Sequence, residues 1–193
     1  RCEDRAVQLL ALEGPVARDL RQVVSSIYIV EDFDRMGARA MHTGKAARPR
    51  HPEHAVPDQL LGYFKEMARL VDEMGEKTRD ILVDPNADVA LVLNEDDDAI
   101  DDLNEYMLTM LTMREWAHTT RAAVDVALLS RYYERYADHC VNVAARIVYL
   151  TTGLSTDEYR EKKERDRADA DMAARFAELE RQFSHRGNQR PPL

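Results

Sequence analysis

Apolar residues recur at helical spacing along most of this chain. From 16 to about 48, Leu20, Val23, Val24, Ile27, Val30 and Phe33 fall three or four residues apart. That spacing lines one side of an α-helix. A second run, 58 to about 83, repeats it with Leu60, Leu61, Phe64, Met67, Ala68, Val71 and Met74, and Asp58 is expected to cap its start. Two more helices are predicted at 87 to about 112 and about 121 to 152, and a short one at 1–12. The breaks agree. Gly14-Pro15, the proline-rich "RPRHPEHAVPD" and Asp84-Pro85-Asn86 interrupt the pattern, and Gly153 supplies a C-cap signal. No segment alternates as a strand would. The expected architecture is an all-α antiparallel bundle array.

The tail after Gly153 differs. Most of it reads as a charged, solvated helix. Met172, Phe176, Leu179 and Phe183, spaced by four, three and four, make one narrow apolar seam. The terminal "SHRGNQRPPL" is expected to lack order.

Composition fits a helical globular chain. Charged residues make up 33% and apolar residues 45%, with 7 Gly and 7 Pro among 193 residues. A net charge of −9 argues against a nucleic-acid module. Cys2 and Cys140 have neither zinc-site spacing nor a partner framework, which points to reduced thiols. No apolar run reaches the roughly 20 residues of a membrane span.

An internal repeat organises the rest. "EDFDRMGARAMHTGKAAR" aligns with "RYYERYADHCVNVAARIV" at an offset of 100, pairing Asp34 with Glu134, Arg35 with Arg135 and Ala40 with Cys140. Upstream, Arg21 and Val24 align with Arg121 and Val124. Under that offset, helix 87–112 matches the opening helix, and helix 58–83 has no counterpart in the chain. The opening "RCEDRAVQLLALEG" reads as a helix interior, so a shortened first unit is expected. The division is 1–50 for what remains of a first three-helix bundle, 51–153 for a complete second one and 154–193 for the tail. The seam in the tail is a candidate cover for apolar surface on the first unit, within the chain or in a dimer.

Two acidic turns carry the most specific chemistry. Asp97 and Asp101 lie one helical turn apart, as do Glu134 and Asp138, on helices joined by a short connection. Like charges at that spacing repel by a few tenths of a kcal/mol. A cluster of four must be solvated, protonated, paired with arginine or bound to a cation. All-oxygen ligation suits Mg, Mn, Ca or ferric iron better than zinc. In the first repeat Asp34 remains, and Ala38 replaces the second acid. Glu115 and His118 form a lone Glu-x-x-His, a half-motif that di-iron bundles use twice. Arg35 and Arg135 are expected to pair with helix carboxylates, and His139 to be structural. No phosphate loop or catalytic triad pattern is visible.

The stretches "LLALEGPVARDLRQVVSSIYIVEDFDRMGARAMH" and "SRYYERYADHCVNVAARIVYLTTG" resemble the PhoU family of phosphate-signalling proteins, in the manner of its actinobacterial branch. Glu134-Arg135-Tyr136-Ala137-Asp138-His139 matches the family's repeated motif in full, and Asp34-Arg35-Met36-Gly37 matches its first half. The likeness spans roughly 3–153. It implies two three-helix bundles side by side and no enzymatic activity. It implies negative regulation of the phosphate-starvation response, linking the ATPase subunit of a phosphate ABC transporter to a sensor histidine kinase. A homodimer, cytoplasmic or peripheral at the inner face of the membrane through its partners, is implied as well. Some members hold iron, zinc or other metals on acid-x-x-x-Asp motifs. Carried over, these fall on Asp97, Asp101, Glu134 and Asp138, with Fe, Zn, Mn or Mg as the candidate ion. Two alternatives compete: a di-metal carboxylate bundle and a plain helical scaffold.

Overall fold

The computed structural model describes residues 2–112 and 115–187, and these are helical apart from short connections. The helices are α1 (Cys2–Glu13), α2 (Ala17–Ala47), α3 (Leu61–Val83), α4 (Ala87–Thr112), α5 (Thr120–Thr152) and α6 (Thr156–Gly187). Single 3₁₀ turns span Arg48–Arg50 and Asp58–Leu60. No strand occurs among the described residues.

The chain chemistry explains the boundaries. Asn86 caps α4, its Oδ1 accepting from the N–H of Asp88 at 2.9 Å and of Val89 at 3.2 Å. Thr119 caps α5 by accepting from Ala122 N at 3.1 Å. Gly153 ends α5 in the left-handed region at φ 78°, with its N–H bonded to Tyr149 O. One expected cap fails: Asp58 opens a 3₁₀ turn instead, and its side chain caps nothing in α3. The chain reaches α3 through Pro57, whose fixed φ favours a tight turn. The acidic run in α4 carries through without a break.

Residues 1–153 and 154–193 form separate compact units. In the first, α5 is the hub, packed against α2, α3 and α4. Its neighbours bury heptad-spaced residues. Leu60, Met67, Met74 and Ile81 lead along α3, and Leu93, Ile100 and Met107 along α4, all at most 1% exposed. A period of seven keeps one narrow seam facing a neighbouring helix along its length.

The two repeat copies are covered unequally. Ser130, Ala137, Cys140 and Ala144 of α5 are buried, whereas their counterparts Val30, Gly37, Ala40 and Gly44 on α2 are exposed. The covering helices α3 and α4 account for the difference, because among the described residues α2 packs chiefly against α1, α5 and the Arg48–Arg50 turn. Tyr28, Phe33 and Met41 stay exposed on α2 as well.

In the second unit, α6 is one helix with its seam residues Met172, Phe176, Leu179 and Phe183 all exposed. The expected terminal loss of order is corrected in part. Residues 184–187 continue the helix to Gly187, and 188–193 lie outside the described residues.

Candidate functional site: an acidic cluster between two helices

α4 and α5 pack against each other and present their acidic turns to a common region. The four predicted carboxylates lie near enough there to act on one another's charges. Asp97 is raised to about 7, first by burial and then by the charges of Asp101, Asp138, Glu134 and Asp98. Asp101 is raised by burial and by Asp138, against a smaller opposing pull from Arg131. Glu134 is raised by burial and by Asp138, with Arg131, Asp101 and Arg135 as smaller influences. A carboxylate whose neighbours are carboxylates binds its proton more tightly, since that proton relieves the repulsion.

Two arginines answer part of that repulsion. Arg131 bonds Glu134, and Arg135 bonds Asp138 at 3.1 Å, each across three residues of α5. The α5 acids are therefore interleaved with their own counter-ions. Asp97 and Asp101 of α4 have no ion-pair partner among the described residues. Asp97 Oδ1 is buried and accepts no hydrogen bond, and Glu134 Oε2 is in the same position. An unbonded buried oxygen is costly. Lys77 of α3 reaches the adjacent Asp96 at 2.6 Å and so serves the rim of the cluster.

As placed, no three His, Cys, Asp or Glu side chains among the described residues stand close enough to share a metal ion. The donor set is nonetheless all oxygen, with two unpartnered buried atoms. A hard cation fits this chemistry once side chains rotate and the arginines yield Glu134 and Asp138.

The other candidates resolve simply. Asp34 is exposed and stands away from any such cluster, beside an Arg35 that pairs with Glu31. Glu115 and His118 lie in the connection between α4 and α5 rather than on a helix, so the spacing of a helical ligand pair does not apply. His118 Nε2 instead meets Gln59 Nε2 at 2.9 Å. Cys140 is buried, and burial pushes its thiol up to about 11, so it is unreactive.

Two cross-links were not foreseen. His139 is buried and structural as expected, and its unforeseen partner is Asp32, to whose Oδ1 its Nδ1 donates at 2.9 Å, tying α5 to α2. Arg50 Nε donates to Asp125 Oδ2 at 2.6 Å across the same helix pair. The sequence does hold a signal. Asp32 with His139 and Arg50 with Asp125 sum to nearly the same residue number, as cross-links between antiparallel helices must. Only knowledge that α2 and α5 are partners makes that signal readable.

An all-helical bundle protein with an internal repeat and an acidic seam between two helices is the class these features define. A family model described as the PhoU domain matches residues 64–147. The "phosphate-specific transport system accessory protein PhoU homolog 2" of Mycobacterium tuberculosis is 50% identical over 153 residues, covering 79% of this chain and 72% of that protein. PhoU homolog 1 of Mycobacterium leprae is 46% identical over 79% of this chain and 69% of its own length. The crystal structure of PhoU from Pseudomonas aeruginosa superposes with a TM-score of 0.71 at 26% identity, over 79% of this chain and 73% of that one. The chain belongs to the PhoU family.

Proposed function

We propose that this chain is a non-enzymatic accessory regulator of phosphate transport and signalling. The observation that carries the reading is its 50% identity to a relative named as a phosphate-specific transport accessory protein. The regulator acts by docking. It restrains the phosphate-starvation response by linking the ATPase subunit of a phosphate ABC transporter to a sensor histidine kinase, and it does so as a homodimer at the inner face of the membrane. No helix among the described residues is long and apolar enough to cross a membrane. The uncovered α2 face, with Tyr28, Val30, Phe33 and Met41 exposed, supplies apolar surface for docking.

Asp97, Asp101, Glu134 and Asp138 are the residues to hold a cation. A bound cation would supply the positive charge needed for these four carboxylates, two from α4 and two from α5, to ionise together. One observation favours a second reading. Arg131 and Arg135 already bond Glu134 and Asp138, so a metal-free scaffold with arginine-neutralised acids accounts for half of the cluster.

Docking is tested with the purified full chain and the transporter's ATPase subunit by calorimetry and light scattering. A saturable complex is expected. Absence of any complex at tens of micromolar of each protein contradicts docking at that subunit.

A further inference from the structure

A cleft of about 350 Å³ opens where the C-terminal end of α2 meets the start of α5. His42, Lys45, Arg50, Arg121 and Tyr132 line it, with Asp125 at its floor. A neighbouring cleft of about 430 Å³ shares Arg50, Arg121 and Asp125 and adds His51, His54 and the acid Glu53. Both lie near the start of α5, N-terminal to the Glu134 and Asp138 of the acidic cluster.

The cleft is basic in an acidic protein. The chain carries net charge −9, yet no Asp or Glu occurs between Asp34 and Glu53, a stretch holding Arg35, Arg39, Lys45, Arg48 and Arg50. The one acid in the cleft is already used. Asp125 binds Nε and Nη2 of Arg50, with the two side chains 11% and 17% exposed, which fixes the guanidinium. Lys45 and Arg121 are exposed and form no ion pair in the described structure, whereas Arg35, Arg69, Lys77, Arg131 and Arg135 all do. The first turn of α5 holds no acidic residue, so the positive end of its dipole adds to the same field.

The fold does not require these charges. At the repeat offset of 100, His42, Lys45 and Arg50 become Asn142, Ala145 and Leu150, and Tyr132 becomes Asp32. Only Arg121 recurs, as Arg21. A duplicated helix pair thus dispenses with the basic set at its other end. Cations from α2, the 3₁₀ turn and α5 surround a space within the range of small-ligand pockets and larger than one phosphate group needs. The rings of His42 and Tyr132, 5.5 Å apart and tilted by 48°, add an aromatic edge on one side.

We propose that this cleft binds a small oligophosphate anion, a di- or triphosphate, either free or carried on a nucleoside. The site is separate from the acidic cluster and does not depend on the regulatory reading.

The test is calorimetry on the full chain at low salt with chelator present. The probes are sodium tripolyphosphate, ATP and inorganic phosphate. Tripolyphosphate is expected to bind one per chain and to weaken as salt rises. The variant Lys45→Ala/Arg121→Ala removes two exposed, unpaired cations and should keep its melting temperature. Its affinity is expected to fall about 100-fold, since each charged hydrogen bond lost costs about tenfold or more. Lys65→Ala, an exposed base on α3, should change nothing. ATP binding as tightly as tripolyphosphate means that the phosphate chain alone is read. ATP binding more tightly, with the excess lost in Tyr132→Ala, means that the nucleoside is read too, and either result supports the site. Absence of binding by both probes overturns the proposal, as does equal affinity in the double variant. Inorganic phosphate binding as tightly as tripolyphosphate overturns the oligophosphate assignment.

Discussion

Asp97 is the residue whose environment is most out of keeping with its chemistry. It is half-buried on α4 among acids, with one oxygen unbonded, and its carboxyl is raised to about 7. A raised carboxyl favours the protonated folded state. The folded protein then binds more protons than the unfolded chain between the ordinary carboxylate range and about pH 7, so stability falls as pH rises through that window. Asp101 and Glu134, raised in the same direction, add to the slope. In metal-free buffer, Asp97→Asn should raise the melting temperature at pH 8 by about 2–4 °C, the effect of roughly 1 kcal/mol in a chain of this size. It should change little at pH 4. An equal loss of stability at both pH values would mean that the ionised carboxylate is stabilising where it stands. The proximity of these acids was legible in the sequence, because helical spacing and the short α4–α5 connection put them on neighbouring helices where they act on one another's charges. Arg131 as a counter-ion for Glu134 was less visible. An i,i+3 arginine competes with many other partners until burial leaves it one acid.

Among the elements, α2 and α5 are copies of one helix that live in different surroundings. Helix existence and order followed from periodicity and from the Gly, Pro and Asn breaks. Burial did not, because it depends on which neighbours each copy has. The pair Gly37 and Ala137 isolates that difference. A Cβ at Gly37 meets nothing within 4 Å, so Gly37→Ala should stabilise α2 by about 0.5–1 kcal/mol through helix propensity alone. Ala137 is fully buried, and Ala137→Leu should cost about 1–3 kcal/mol by overpacking. Denaturant unfolding of both variants checks the contrast. Similar effects at the two positions would mean that α2 is covered as α5 is. The cross-links between α2 and α5 were hidden for the same reason. Asp32 and His139 stand 107 residues apart in sequence, and nothing local marks either as a partner of the other.

At the scale of the whole molecule, two opposed electrostatic regions share one helix. The start of α5 contributes Arg121 to a basic cleft, and its middle contributes Glu134 and Asp138 to an acidic seam. If the seam holds a cation, tag-free protein analysed by plasma mass spectrometry should carry close to one metal ion or more per chain. Asp97→Asn/Glu134→Gln should lose it. Trace metal in both proteins would assign the seam to arginine pairing and protonation alone. Membership of the family was legible because its motif stands complete on α5 and in part on α2. The uncovered face of α2 and the α6 seam were not assignable to partners, since an apolar face names no occupant.

The central claim is that this chain restrains a phosphate response by docking to its machinery. The most direct measurement is a phosphate-starvation reporter in a bacterial host deleted for its own PhoU, grown in phosphate-rich medium. With the full chain supplied in trans, the reporter should return to its repressed level. A reporter that stays fully induced, with the chain expressed, folded and able to reach the host's transporter and kinase, would contradict the account.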